Sequence, residues 1–277
     1  MSNLNKMKVA LCYSGQVGAA LKAYNNQKNN IILPNNCDIF CQTSDAVSQK
    51  GSGKVYLNLP NKTNPVVYMP AGKGWRKNYT TYGMIYNIEK NLIHEMFKHL
   101  YGKKLISYEI ESEEIKDSNH DLMMTKWEWM RSRQLHKLKK CNQLLKDSKK
   151  EYDIVIRSRF EFTTAIKIDV EKILQDHGGL EKNKNSVFVF GGFLCTPPMI
   201  FMDEYFCDGL FFSTPKTMNK LVELADKVEP YPPHPKYVDN WEKWGDSIEH
   251  QFRSHAESNN IEIKYISQKR SDYIILR

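Results

Sequence analysis

Two arginines and a glutamate alternate at Arg157, Arg159 and Glu161, within the stretch Glu151–Phe162, EYDIVIRSRFEF. On an extended chain that alternation puts all three on one side. Just before them stands Ile154-Val155-Ile156, a short apolar run bounded by charge. Such a run predicts a buried central strand of an α/β sheet. Two guanidinium groups and a carboxylate are costly to place at the end of a buried strand without partners. Ligands of open α/β sheets sit at the carboxyl ends of the strands. The triplet is therefore a candidate binding site, and the competing reading is a structural ion pair of Arg157 or Arg159 with Glu161. The chemistry it suits is phosphate or diphosphate binding, because the arginine fork holds phosphate oxygens bidentately and stays charged.

Four other places carry candidate groups. Lys8–Tyr13, KVALCY, reads as a strand that breaks at Ser14-Gly15-Gln16-Val17-Gly18 before a helix over residues 19–29. A strand running through a glycine turn into a helix is one way to present backbone N–H groups to a phosphate or nucleotide, although SGQVG is neither GxGxxG nor a Walker A loop. A second strand, Cys37–Gln42, ends at Thr43-Ser44-Asp45. Asp45 suits a ribose or base as an acceptor, and equally suits capping of the next turn. Tyr205–Phe212, YFCDGLFF, reads as an apolar strand with one acid, Asp208, which must be neutralised, paired or functional. Residues 246–259 read as a helix carrying Glu249, His250 and His255. Those histidines are five apart, as are His94 and His99, and that spacing does not put two ligands on one helix face for zinc.

The elements that must position these groups read as one large α/β domain. The chain has 277 residues, long enough for a sizeable core. Hydrophobic residues are 41% and charged residues 26%, ordinary values for a soluble globular protein. The net charge of +8 favours anionic partners, but it is spread along the chain, which counts against a nucleic-acid stripe. Six cysteines include no CxxC pair and several lie in apolar runs, so buried free thiols in a reducing cytoplasm are expected. No secretion signal and no run of 18 apolar residues is seen, so no transmembrane segment is expected. Helices are predicted over residues 80–101, 126–149, 168–175 and 216–227, and strands over 105–114, 187–190 and 261–266. The helix over 126–149 has Trp127, Met130, Gln134, Leu138, Cys141 and Leu145 on its packed face. Arg131, Arg133, Lys137, Lys139 and Lys140 form its other, mostly solvated face, part of which is placed to line a cleft. Residues 47–78 read as a Gly- and Pro-rich excursion containing the basic loop Lys73–Lys77, and residues 230–244 as an aromatic, proline-rich loop suited to stacking on sugar rings or to packing.

The order of KVALCYSGQ, CDIFCQTSD, KLKKCNQLL, EYDIVIRSRFEF, CDGLFFSTPKTM and SIEHQFRSHAESNNIEI resembles a family of glycosyltransferases found in polysaccharide-synthesis clusters and in large DNA viruses of algae. The likeness spans nearly the whole chain. It implies a GT-A-like, Rossmann-type single domain with a mostly parallel central sheet flanked by helices. Residues 1–165 would be the nucleotide-binding part and residues 166–277 the acceptor side. It implies a UDP- or GDP-sugar donor and a glycan or glycoconjugate acceptor. Ser14, Gly15 and Gln16 would then meet the donor nucleotide, and Thr43 and Asp45 would lie beside its base or ribose. Arg157 and Arg159 would meet the diphosphate. GT-A enzymes place an Asp-x-Asp motif there to hold Mn2+ or Mg2+. This chain has no Asp-x-Asp, and Glu161 stands where family members carry Asp, so the carried-over metal role falls on Glu161 alone.

Sugar transfer from a nucleotide diphosphate develops negative charge on the leaving oxygen, which a metal or fixed Arg and Lys groups must stabilise. The acceptor hydroxyl must lose a proton to a carboxylate or His within reach. Asp208 is the candidate from its apolar setting and Glu249 from the family pattern. Two other classes compete. A sulfo- or methyltransferase would want a stronger glycine-rich or P-loop start. A non-catalytic basic binding module would want concentrated charge.

Overall fold

The computed structural model describes residues 7–48, 55–56, 66–67, 85–112, 131–191, 193–195, 200–202, 206–232, 248–267, 269 and 272–275. Seven strands form one sheet: β1 (Val9–Ser14), β2 (Asp38–Ser44), β3 (Leu105–Glu111), β4 (Ile154–Ser158), β5 (Ser186–Phe190), β6 (Leu210–Ser213) and β7 (Glu262–Ser267). Their order is β7-β5-β6-β4-β1-β2-β3. The pairs β1–β2, β1–β4, β2–β3 and β5–β7 are parallel. Only β6 runs antiparallel to its two neighbours, β4 and β5. The sheet is thus mostly parallel and flanked by helices, as the sequence predicts.

Helices cover both faces: α1 (Ala20–Gln27), α2 (Lys90–Tyr101), α3 (His136–Asp147), α4 (Val170–Asp176), α5 (Pro215–Val222) and α6 (Ile248–Ser258). Covering both faces requires strands that are apolar throughout, and β1, β4, β5 and β6 are buried at every position. Alternation along β1 sends Leu11 and Tyr13 to one core, with Ile93 and Phe97 of α2. It sends Ala10 and Cys12 to the other, with Leu138 and Cys141 of α3 and Phe252 of α6. None of the helices among the described residues is long and apolar enough to cross a membrane.

From β1 the chain winds outward through β2 to β3. It then returns to β4 on the other side of β1. The crevice at the carboxyl ends of β1 and β4 is therefore a topological switch point, the place where open α/β sheets bind ligands.

Two predicted elements are corrected. The helix expected over residues 80–101 begins only at Lys90. Ile85–Asn87 is instead a strand pairing with Ala46–Ser48, just past the end of β2. The apolar period of Ile88, Leu92 and Met96 is genuine, but the β-favouring Ile85-Tyr86 pair finds an extended partner first. The strand expected over Tyr205–Phe212 is only Leu210–Ser213, so Asp208 lies in the turn before β6 and not inside a strand. Gly209 allows that turn. A Cβ there would sit 2.6 Å from the ring of Phe162, and the Gly209 carbonyl accepts the Arg159 N–H at 2.9 Å. The basic loop at residues 73–77, Trp127 and Met130, and residues 233–244 of the aromatic loop lie outside the described residues.

Candidate functional site

Arg157 is the penultimate residue of β4 and points to the α3 face of the sheet, opposite Ile156. It is the largest fully buried side chain among the described residues, 1% exposed. Its guanidinium lies 5.5 Å from the centre of the Phe211 ring, and its Nε and Nη1 have no hydrogen-bond partner. Burial pushes its pKa down. Asp208 opposes that shift, and the neighbouring Arg159 adds to it.

Arg159 is treated differently. Its Nε donates to Glu161 Oε1 at 2.7 Å, its Nη2 donates to the same oxygen, and its Nη1 donates to Asp208 Oδ2 at 3.1 Å. Burial disfavours its charge, but Glu161 and Asp208 together outweigh that and raise its pKa. Its side chain remains 29% exposed, whereas that of Asp208 is 1% exposed. Asp208 Oδ2 accepts a second hydrogen bond, from Gln134 at the foot of α3. Four groups separated by up to 74 residues in the chain thus form one network, with the unpaired Arg157 beside it.

Glu249 is the second residue of α6, and its charge acts on Cys207 together with that of the adjacent residue Asp208. That thiol is pushed up to about 12, chiefly by burial. Both acids proposed from sequence thus act on the same buried thiol.

The β1 and β2 ends take a different form. Gly15 has φ +127, a backbone region that favours glycine, and its N–H donates to the Gln42 carbonyl at 3.2 Å. That N–H extends the β1–β2 ladder and is not offered to a ligand. Ser14 Oγ is buried on the α3 face without a hydrogen-bond partner. Gln16 follows at a partly exposed position. The Thr43 hydroxyl is buried and donates to the adjacent Ser44 carbonyl at 3.2 Å, so its placement is local. Asp45 is held by its backbone, which donates to the Glu111 carbonyl and accepts from Ile88. Thr43 and Asp45 lie across β1 from the arginines.

Two residues of α3 and its leading turn join the site without having been singled out as site residues. Lys137 is 5% exposed and donates to Ser44 Oγ at 2.7 Å at the end of β2. Gln134 holds Asp208. Gln134 was legible in part, as a polar residue on the apolar stripe of Leu138, Cys141 and Leu145. Lys137 is a correction: it was expected on the mostly solvated face, and the structure buries it, because it stands four residues before the buried Cys141 and hence on nearly the same face. The basic residues Lys139 and Lys140 face outward, pairing with Asp226 and with Glu109 and Glu111.

A divalent cation fits this donor set poorly. Glu161 Oε1 already accepts two bonds from Arg159. No cluster of three His, Cys, Asp or Glu side chains able to hold a metal ion occurs among the described residues. Glu161 Oε1 is engaged in an ion pair with Arg159, while its Oε2 is buried without a hydrogen-bond partner.

No family model matches the chain, and no curated protein matches it. Solved structures do match. One is the crystal structure of the nucleoside-diphosphate-sugar pyrophosphorylase from Vibrio cholerae RC9, at a TM-score of 0.43 and 9% identity, over 96% of this chain and 94% of that one. A likeness that remote fixes no chemistry. The fold stands on the strand order given above.

Proposed function

We propose that the chain is a GT-A-type glycosyltransferase that moves a sugar from a UDP- or GDP-sugar to a glycan or glycoconjugate acceptor. The observation that carries this reading is the pair Arg157 and Arg159 at the carboxyl end of β4, on the switch point, against the buried carboxylate Asp208. Fixed guanidinium groups in a water-poor site stabilise charge on a departing diphosphate without reorganising at the moment of reaction. Asp208 is held by Arg159 and Gln134 through one oxygen, which orients the other as the acceptor of a proton from the sugar hydroxyl, with Glu249 as the alternative base. On this reading Ser14, Gly15, Gln16, Thr43 and Asp45, at the β1 and β2 ends, would meet the nucleoside.

On this reading the arginines stabilise the diphosphate charge and Glu161 anchors Arg159. The test is a panel of UDP- and GDP-sugars, with and without Mn2+, read by thermal shift and by donor hydrolysis. One donor class is expected to stabilise and to be hydrolysed. The proposal fails if none does either. Running the active donor on Glu161→Gln separates the roles. A similar response to Mn2+ in both proteins assigns Glu161 to the ion pair, and loss of a Mn2+ stimulation seen in the parent assigns it to a metal.

A further inference from the structure

The two arginines differ in a way that divides their labour. Nε, Nη1 and Nη2 of Arg159 all donate to carboxylates, two to Glu161 and one to Asp208. Its fork is committed to the protein. Arg157 is buried to 1% exposure and leaves Nε and Nη1 without a partner, while Asp208, the carboxylate that opposes its charge most strongly, is engaged by Arg159 and Gln134. A buried guanidinium whose N–H groups find no acceptor is among the costliest arrangements a folded chain keeps. Buried polar groups are otherwise almost always satisfied, and such exceptions call for a ligand or a functional cause. The cluster is open on one side, where the Arg159 side chain retains 29% of its surface.

We infer that Arg157 is the anion-binding residue of this site, accepting a diphosphate on its unpaired N–H groups, and that Arg159 is a scaffold residue that holds Asp208 and Glu161 in place. This deepens the nucleotide-sugar reading by naming the residue that takes the diphosphate, yet it needs no sugar transfer to be tested. The shared chemistry is a diphosphate, either free or within a nucleotide.

The experiment compares the parent with Arg157→Met and Arg157→Lys by thermal shift and calorimetric titration with inorganic pyrophosphate, UDP and GDP. The parent is expected to gain thermal stability with at least one of them. Arg157→Met removes an unpaired buried charge and replaces it with an apolar chain of similar length. The ligand-free protein is therefore expected to melt at or above the parent temperature and to lose the ligand-induced shift. Arg157→Lys keeps the charge but not the fork, and roughly a tenfold weaker affinity or worse is expected. Should Arg157→Met fail to fold, the lysine variant alone decides, and affinity equal to that of the parent overturns the inference. It is also overturned if the parent binds none of the three, or if Arg157→Met melts lower and still binds. Pyrophosphate binding lost in the variants, with no donor sugar hydrolysed by the parent, keeps the anion site and sinks the transferase reading. A response to UDP or GDP but not to pyrophosphate places the ligand source in the nucleotide.

Discussion

Two clusters of buried and half-buried polar side chains meet the segment after β4, and they are built in opposite ways. On one side, α1 and the turns after it carry Asn26, Gln27, Asn30 and Asn35. Gln27 donates to the carbonyls of Arg159, Phe160 and Phe162 at 3.2, 2.9 and 2.8 Å. Asn26 exchanges both its amide groups with the backbone of Thr164, and Asn30 donates to the same carbonyl. Asn35 bonds Ile31, Ile168 and Val170. Nearly every polar atom there has a partner. On the other side, under α3, Ser14 Oγ, Arg157 Nε and Arg157 Nη1 have none. A satisfied buried network is rigid and specifies one backbone path, while an unsatisfied one holds back hydrogen bonds that something else can make. The amide clamp is scaffold. It fixes the turn from which Arg159 and Glu161 project, and it ties that turn to the helix leading out of the Ser14–Gln16 loop.

The comparison can be broken at its strongest point first. Arg159→Met strands two carboxylates, one of them nearly fully buried, and should cost about 3 kcal/mol of stability, the low end for breaking a buried pair because the arginine is partly exposed. Urea unfolding measures it, and a loss below about 1 kcal/mol would remove Arg159 from the scaffold. Gln27→Leu leaves three backbone carbonyls without their shared donor and should cost about 2 kcal/mol. It should weaken pyrophosphate binding only through misplacement of the 159–162 turn, so binding lost in full with stability unchanged would reverse the assignment of scaffold and site.

The smallest effect is expected at His255, a buried imidazole whose two nitrogens meet the Tyr231 hydroxyl at 2.9 Å and the Lys220 carbonyl at 2.8 Å. Burial depresses its pKa, with Glu223 and the Lys220 carbonyl acting against the shift and Lys227 with it. A histidine depressed in the folded state binds more protons when unfolded. Its contribution is therefore complete above the unfolded value of about 6.5 and is lost as pH falls through the lower folded value. The melting temperature should drop between pH 7 and pH 5, and His255→Gln should flatten that slope. An unchanged slope places the titration elsewhere.

Much of the frame was legible because it rests on local pattern. KVALCY, CDIFCQ, IVI and SVFVF are short apolar runs, and only a sheet covered on both faces buries such runs, so a mostly parallel α/β fold follows from them. The charge at Arg157–Glu161 was conspicuous for the same reason: the strand before it leaves no polar surroundings to absorb it. The failures have a common cause too. Asp208 was misplaced inside a strand because the close approach of Gly209 to Phe162 is a contact between segments 47 residues apart in the chain, which periodicity does not register. The Gly15 N–H looked available until β2 supplied the Gln42 carbonyl.

Residue types and spacing by themselves determined that two guanidinium groups and a carboxylate stand where a buried strand ends. Which guanidinium is paired was decided only by the tertiary structure. Glu161 lies two residues from Arg159 and was visible as a partner, but Asp208 and Gln134 arrive from the turn before β6 and the turn leading into α3. Hydrogen bonding is a short-range, directional interaction, so only the folded chain could commit Arg159 to those carboxylates and leave Arg157 without a partner.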